Sequence, residues 1–119
     1  MYKEKMHEMS IALNVLDIAS EQCRRADCAE IESIHVKIGK ASGVFCDALL
    51  FAFDAAKQDS IAKNASLHIE EVPVTGLCSD CDKDFAVEEQ YILSCPLCKG
   101  TSFTITGGRE LDIIDIEAV

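Results

Sequence analysis

A chain of 119 residues with a formal net charge of −10 and seven cysteines has room for one main hydrophobic core and little more. The acidic balance argues against a reader of DNA or RNA, whose binding rests on clustered Lys and Arg neutralising phosphates; here Arg24, Arg25, Arg109 and scattered lysines are outnumbered by acids. No apolar run is long enough to cross a bilayer, and no secretory leader is expected. With an odd number of cysteines, this places the chain in a reducing, cytoplasmic setting where thiols serve metals rather than disulfides.

The first periodic segment runs from about Glu8 to Ala26, with Met9, Leu13, Leu16, Ala19 and Cys23 on one face and Ile11, Val15 and Ile18 beside them. That pattern predicts an amphipathic helix. Cys23 reads as a small core hydrophobe, and Cys28 and Cys46, with no partner nearby, read the same way. From Ile31 the period changes to two: Ile34, Val36 and Ile38 share one face of a strand, with Ser33, His35 and Lys37 on the other. Gly39 and Gly43 then punctuate a turn, and Val44 to Gln58 predicts a second helix anchored by Leu49, Leu50 and Phe53. Leu67, Ile69 and Val72 alternate with His68 and Glu70 in a second strand that Pro73 ends.

Two C-x-x-C knuckles follow, Cys78-Ser79-Asp80-Cys81 and Cys95-Pro96-Leu97-Cys98, separated by thirteen residues, enough for one strand out and one strand back. Four thiolates on two facing turns are what a tetrahedral zinc ion needs, and the spacing is specific. A stretch of this size folds only with a staple, and structural zinc supplies roughly 10–16 kcal/mol in small zinc peptides. Iron in the same four thiolates would make a rubredoxin-like electron carrier, coloured where zinc is colourless. The lack of an aromatic-rich core around the knuckles weighs against it. A nucleic-acid-binding zinc ribbon is the other alternative, opposed by the charge.

The last segment, Arg109 to Ile116, is strand-like with a slip at Ile113-Ile114 that predicts a bulge. It is most economically the third strand of the first sheet, which makes the knuckle module an insertion. The expected fold is therefore α+β, a three-stranded sheet with two helices on one face interrupted by a small zinc ribbon. The expected domains are residues 1–73 with 108–119, and 74–107.

His35 and His68 occupy polar strand positions, so both are expected to be solvent-facing surface histidines rather than a paired metal site, although neighbouring strands would let the two rings approach. His7, beside Glu8 at a helix start, has a context that suits Ni(II) or Cu(II), since an imidazole and neighbouring backbone amides can form a square-planar nitrogen set. Solvated histidines at helix ends share that context. No Gly-rich phosphate loop and no catalytic set of serine, cysteine or carboxylates is present, so a binding protein rather than an enzyme is expected.

The order of motifs, Met6-His7-Glu8-Met9-Ser10-Ile11-Ala12, His35-Val36-Lys37-Ile38-Gly39, Leu67 to Pro73, the two knuckles and Gly108-Arg109-Glu110-Leu111, resembles the HypA/HybF family of hydrogenase nickel-insertion accessory proteins. The resemblance covers Met6 to about Glu117. It implies a nickel metallochaperone that delivers Ni(II) to the large subunit of [NiFe]-hydrogenase together with a hydrogenase-maturation GTPase, and in some members serves urease maturation proteins. By the same resemblance His7 and Glu8 match the nickel site, and Cys78, Cys81, Cys95 and Cys98 match the ligands of a structural Zn(II). In the family the methionine before the histidine is normally the first residue and lends nickel its α-amine. Here Met1 to Lys5 precede it, which predicts weaker nickel binding than in a chain beginning at Met6. Lys40 after Gly39 stands where the family more often carries an acid.

Overall fold

A computed structural model describes residues 2–89 and 92–119, with side chains described from Glu8 onward. In chain order the elements are α1 (Tyr2–Arg25), β1 (Ile31–Gly39), α2 (Cys46–Ala56) followed by a 3-10 turn (Lys57–Asp59), β2 (Ser66–Val72), β3 (Val74–Cys78), β4 (Asp84–Val87), β5 (Phe103–Gly107) and β6 (Leu111–Ala118). They form two three-stranded sheets, ordered β2-β1-β6 and β4-β3-β5. The last strand thus returns to β1, as the economy of the fold requires.

The buried stripe of α1 is Glu8, Ile11, Ala12, Val15, Leu16, Ala19 and Cys23, residues three or four apart that share one face of a helix. Leu13 and Ile18, expected on the core face, are 48% and 50% exposed, because at 3.6 residues per turn they fall on the two flanks of that stripe. α1 packs against α2, which buries Leu49, Ala52 and Phe53. Leu50, expected as a third anchor, lies on the flank and is partly exposed. On β1, Ile34, Val36 and Ile38 are buried. On the opposite face, Ser33 Oγ donates to Glu117 Oε1 of β6 at 2.6 Å.

The end of α1 corrects one expectation. Cys28 N–H donates to the Cys23 carbonyl (3.0 Å) and Asp27 N–H to that of Arg24 (3.3 Å), with Asp27 in the left-handed region at φ 58°. This 6→1 and 5→2 pair is a Schellman motif, which brings the side chains of the third-last helical position and of the second residue past the cap together. Those residues are Cys23 and Cys28, and they form a disulfide. The expectation of two unpaired core thiols fails because it weighed linear spacing, whereas the helix cap folds the chain back on itself.

The chain divides into two compact units, residues 1–36, 44–70 and 112–119 in one and 37–43 and 71–111 in the other. The second is wider than 74–107 because the chain after β1 pairs with the two ends of the inserted segment. Gly39 N–H donates to Glu110 O (2.8 Å), Lys40 N–H to Val72 O (2.9 Å) and Ala41 N–H to Gly108 O (2.7 Å). The crossing requires glycine: a Cβ on Gly39 would run into the Gly108 carbonyl, and Gly108 itself has φ 106°, open to glycine and costly for other residues.

Candidate metal centre

The knuckles sit at one end of the antiparallel sheet in which β3 pairs with β4 (Leu77↔Asp84) and with β5 (Cys78↔Phe103). Cys78 is the last residue of β3, and its N–H donates to Lys83 O at 3.0 Å, closing the first turn. In the second, Cys95 N–H donates to Gly100 O (2.8 Å) and Lys99 N–H to Cys95 O (2.7 Å). Each turn ends on a left-handed residue directly after its second cysteine, Asp82 at φ 56° and Lys99 at φ 64°. The two turns are therefore local copies of one shape, which is how one C-x-x-C sequence repeated twice yields matched halves of a site. Gly100 packs beside the first knuckle, where a Cβ would meet the Asp80 carboxylate and make that exposed side chain swing aside. Among the described residues between the knuckles β4 is the one strand, where the spacing had left room for a strand out and a strand back.

The four sulfurs lie within 4.8 Å of one another, with Cys78 to Cys98 at 3.5 Å and Cys81 to Cys95 at 3.8 Å. A zinc ion with four Zn–S bonds of about 2.3 Å spaces its sulfurs by about 3.8 Å along each tetrahedral edge, so the donor set fits such an ion. Leu97 N–H donates to Cys95 Sγ and Gly100 N–H to Cys98 Sγ, both at 3.4 Å; such bonds stabilise thiolate charge. Cys78 and Cys95 are fully buried against Phe85, with Cys81, Val87, Ile92 and Phe103 around them. Phe85 and Phe103 meet edge to face, 5.9 Å between centroids. The expectation that the knuckles lack an aromatic core is thus corrected, because the two phenylalanines, distant in sequence, meet when β4 and β5 flank β3.

Before metal binds, the thiols differ. Burial, reinforced by hydrogen bonds with the Cys78, Cys98 and Cys95 thiols, pushes Cys81 up to about 12. Burial also acts to raise Cys95, but the N–H groups of Cys98 and Leu97 and the Cys78 and Cys98 thiols outweigh it and bring it down to about 7. Cys95 is therefore the thiol closest to ionisation at neutral pH, and metal entering the site must displace the protons that remain.

The other expected site residues are His7 and Glu8. The side chain of His7 lies outside the described residues. Glu8 is 1% exposed, and its Oε2 accepts the Phe45 N–H at 2.9 Å. Phe45 is the N-cap of α2 and makes no side-chain cap of its own, so Glu8 supplies from α1 the negative group that a helix start favours. Its second oxygen, Oε1, is buried with no hydrogen-bond partner among the described residues. Nothing in the local sequence signals this reach, because Phe45 is distant in the chain. Lys40, where the family more often has an acid, pairs with Glu88 at 2.9 Å on the surface.

A family profile described as "Hydrogenase/urease nickel incorporation, metallochaperone, hypA" matches residues 6–118. The chain belongs to the HypA family. Among curated relatives, the "Hydrogenase maturation factor HypA" of Chloroflexus aurantiacus is 38% identical over 112 residues, covering 94% of this chain and 98% of the relative. That of Chlorobaculum parvum is 38% identical over 111 residues, covering 93% and 97%. The solution structure of the nickel metallochaperone HypA from Helicobacter pylori aligns with a TM-score of 0.66 at 25% identity, covering 94% of this chain and 97% of that one. A second HypA solution structure aligns at 0.69 and 26% identity, covering 96% and 97%. This HypA chain is thus a member of a family of nickel metallochaperones for hydrogenase maturation, with a four-cysteine site that fits zinc. Its profile match begins at Met6, so His7 and Glu8 are the second and third residues of the matched region. No helix among the described residues is long and apolar enough to cross a membrane.

Proposed function

We propose that this HypA chain carries Ni(II) at an amino-terminal site formed by His7 and Glu8, and hands it to the large subunit of a [NiFe]-hydrogenase in concert with a maturation GTPase. Urease maturation proteins are a further class of client, and the protein acts by binding and release in the cytoplasm rather than as an enzyme. In the same reading Cys78, Cys81, Cys95 and Cys98 hold a structural Zn(II), and the helix-sheet part of residues 1–73 and 108–119 carries the nickel while residues 74–107 form the ribbon.

The observation that carries the nickel reading is Glu8 Oε1. A buried carboxylate oxygen without a donor is costly, and a cation beside His7 would relieve that cost with a ligand already oriented through Oε2. The zinc reading rests on the sulfur spacing. The two sites suit different tasks: four thiolates close a site that retains its ion, whereas imidazole with a carboxylate leaves positions open for transfer.

The test is a nickel titration of zinc-loaded protein, its His7→Ala variant and a chain beginning at Met6, read by calorimetry and visible absorbance. One equivalent of Ni(II) that His7→Ala removes and that a free Met6 amine tightens is the expected result. A His7→Ala protein that loses no nickel equivalent would sink the amino-terminal site. Four thiolates at these distances also accommodate iron, so metal analysis of freshly purified protein decides between the colourless zinc form and a red iron form.

A further inference from the structure

The disulfide between Cys23 and Cys28 joins a buried residue to an accessible one. Cys23 is 3% exposed. Cys28 is half-buried between exposed Asp27 and Ala29, and it borders two open grooves, one shared with Ile18 and Ile114 and the other with Arg24 and Ser60. We propose that this pair is a reversible thiol–disulfide exchange site, opened at Cys28 Sγ by a dithiol reductant and reclosed by a disulfide oxidant.

Backbone bonds hold the two residues together whether or not the sulfurs are joined. On one side of Cys28 the helix cap ties its N–H to the Cys23 carbonyl at 3.0 Å; on the other, Ala29 N–H donates to Val119 O (2.6 Å) and Val119 N–H to Glu30 O (2.9 Å). Reduction leaves these bonds in place, so the two thiols stay neighbours and reclosure is an intramolecular step favoured by proximity. The cysteines are five positions apart, and so short a loop removes less entropy from the unfolded chain than a long one. The fold therefore does not hinge on this bond. The knuckle cysteines need a reducing setting to remain free for metal, and disulfides in such settings are mostly transient and redox-sensing.

Exchange runs through the sulfur that a reagent can reach. A thiolate of the reductant attacks Cys28 Sγ, the S–S bond breaks, and its electron pair leaves on Cys23 Sγ, which takes up a proton. The reductant's second thiolate then attacks its own sulfur in the mixed disulfide and frees Cys28 as a thiol. Two electrons and two protons have passed to the pair, and the dithiol has become a disulfide.

The test uses zinc-loaded full-length protein. Folded protein is treated with dithiothreitol, quenched with acid, then denatured with a chelator and alkylated, while amide exchange on β1 reports the fold. Five labels are expected before treatment and all seven cysteines labelled after it, with β1 exchange still slow and five labels again after oxidised glutathione. With oxidised glutathione, Cys23→Ala is expected to gain one glutathione at Cys28, located by peptide mass, whereas Cys28→Ala gains none at Cys23. A pair that yields to dithiothreitol only when β1 protection is lost, that fails to reclose, or whose Cys28 takes no adduct in Cys23→Ala overturns the proposal.

Discussion

Glu8 combines two roles that one side chain rarely carries. One oxygen accepts the Phe45 N–H at the start of α2, and the other is buried without a partner among the described residues. The two roles separate by substitution. Glu8→Ala leaves the Phe45 N–H unpaired and is expected to destabilise the protein by about 1–3 kcal/mol in urea or guanidinium melts. Glu8→Gln keeps an acceptor for that N–H but removes the charge. It is expected to stay within about 1 kcal/mol of the parent while nickel affinity falls; an unchanged nickel isotherm would leave Glu8 as a helix cap alone. At the core, Phe53 is 1% exposed, and Phe53→Ala is expected to cost about 3–5 kcal/mol by the same melts, since its neighbours cannot close the space. Lys40 and Glu88 make the opposite case: their ion pair has a 79% exposed partner, and Lys40→Ala is expected to change little.

Among the elements, the end of α1 and the two knuckles hold the cysteine chemistry. The Schellman cap pairs Cys23 with Cys28, and five cysteines remain outside any disulfide. Thiol titration in denaturant with a chelator is expected to find five reactive groups before reduction and all seven after it; seven without reductant would show the pair reduced. In the knuckles, the raised Cys81 thiol, at about 12, keeps its proton at neutral pH, whereas Cys95, at about 7, is partly ionised there. Metal must displace the protons that remain, so zinc affinity is expected to rise with pH and to fall as acid returns protons to the sulfurs. Zinc transfer to a chromophoric chelator along an acid series measures this, and affinity flat with pH would contradict it. The knuckles were legible because C-x-x-C repeated at this spacing is a local code. The Cys23–Cys28 pair was readable in principle, as two cysteines five apart across a helix end, but only by locating the cap to the residue.

For the whole molecule, the division into two units sets how it responds to metal loss. The unit of 37–43 and 71–111 has a small core of Cys78, Phe85 and Cys95, two of whose members belong to the four-cysteine cluster that fits a metal ion. The other unit has its own apolar core, in which Ile31, Ile34, Leu49 and Phe53 are buried. Chelation is therefore expected to unfold the four-cysteine unit first: the ring signals of Phe85 and Phe103 should collapse while amide exchange on β1 stays slow. Simultaneous loss of both would mean that zinc supports the entire fold.

The sequence by itself determined the period-two and period-3.6 segments, hence the α+β class, the return of the last strand, and the four cysteines of the cluster that fits a metal ion. These rest on local pattern: side-chain period is set by backbone geometry, and a C-x-x-C turn places both its sulfurs within a few residues. Tertiary structure decided what depends on residues far apart in the chain. It put Glu8 on the start of α2, Phe85 against Phe103 beneath the sulfurs, residues 37–43 onto the ends of the inserted segment, and His35 between His68 and Asp115. In each case the deciding term is a distance between elements, set by how the elements pair and pack, and no period within one element encodes it.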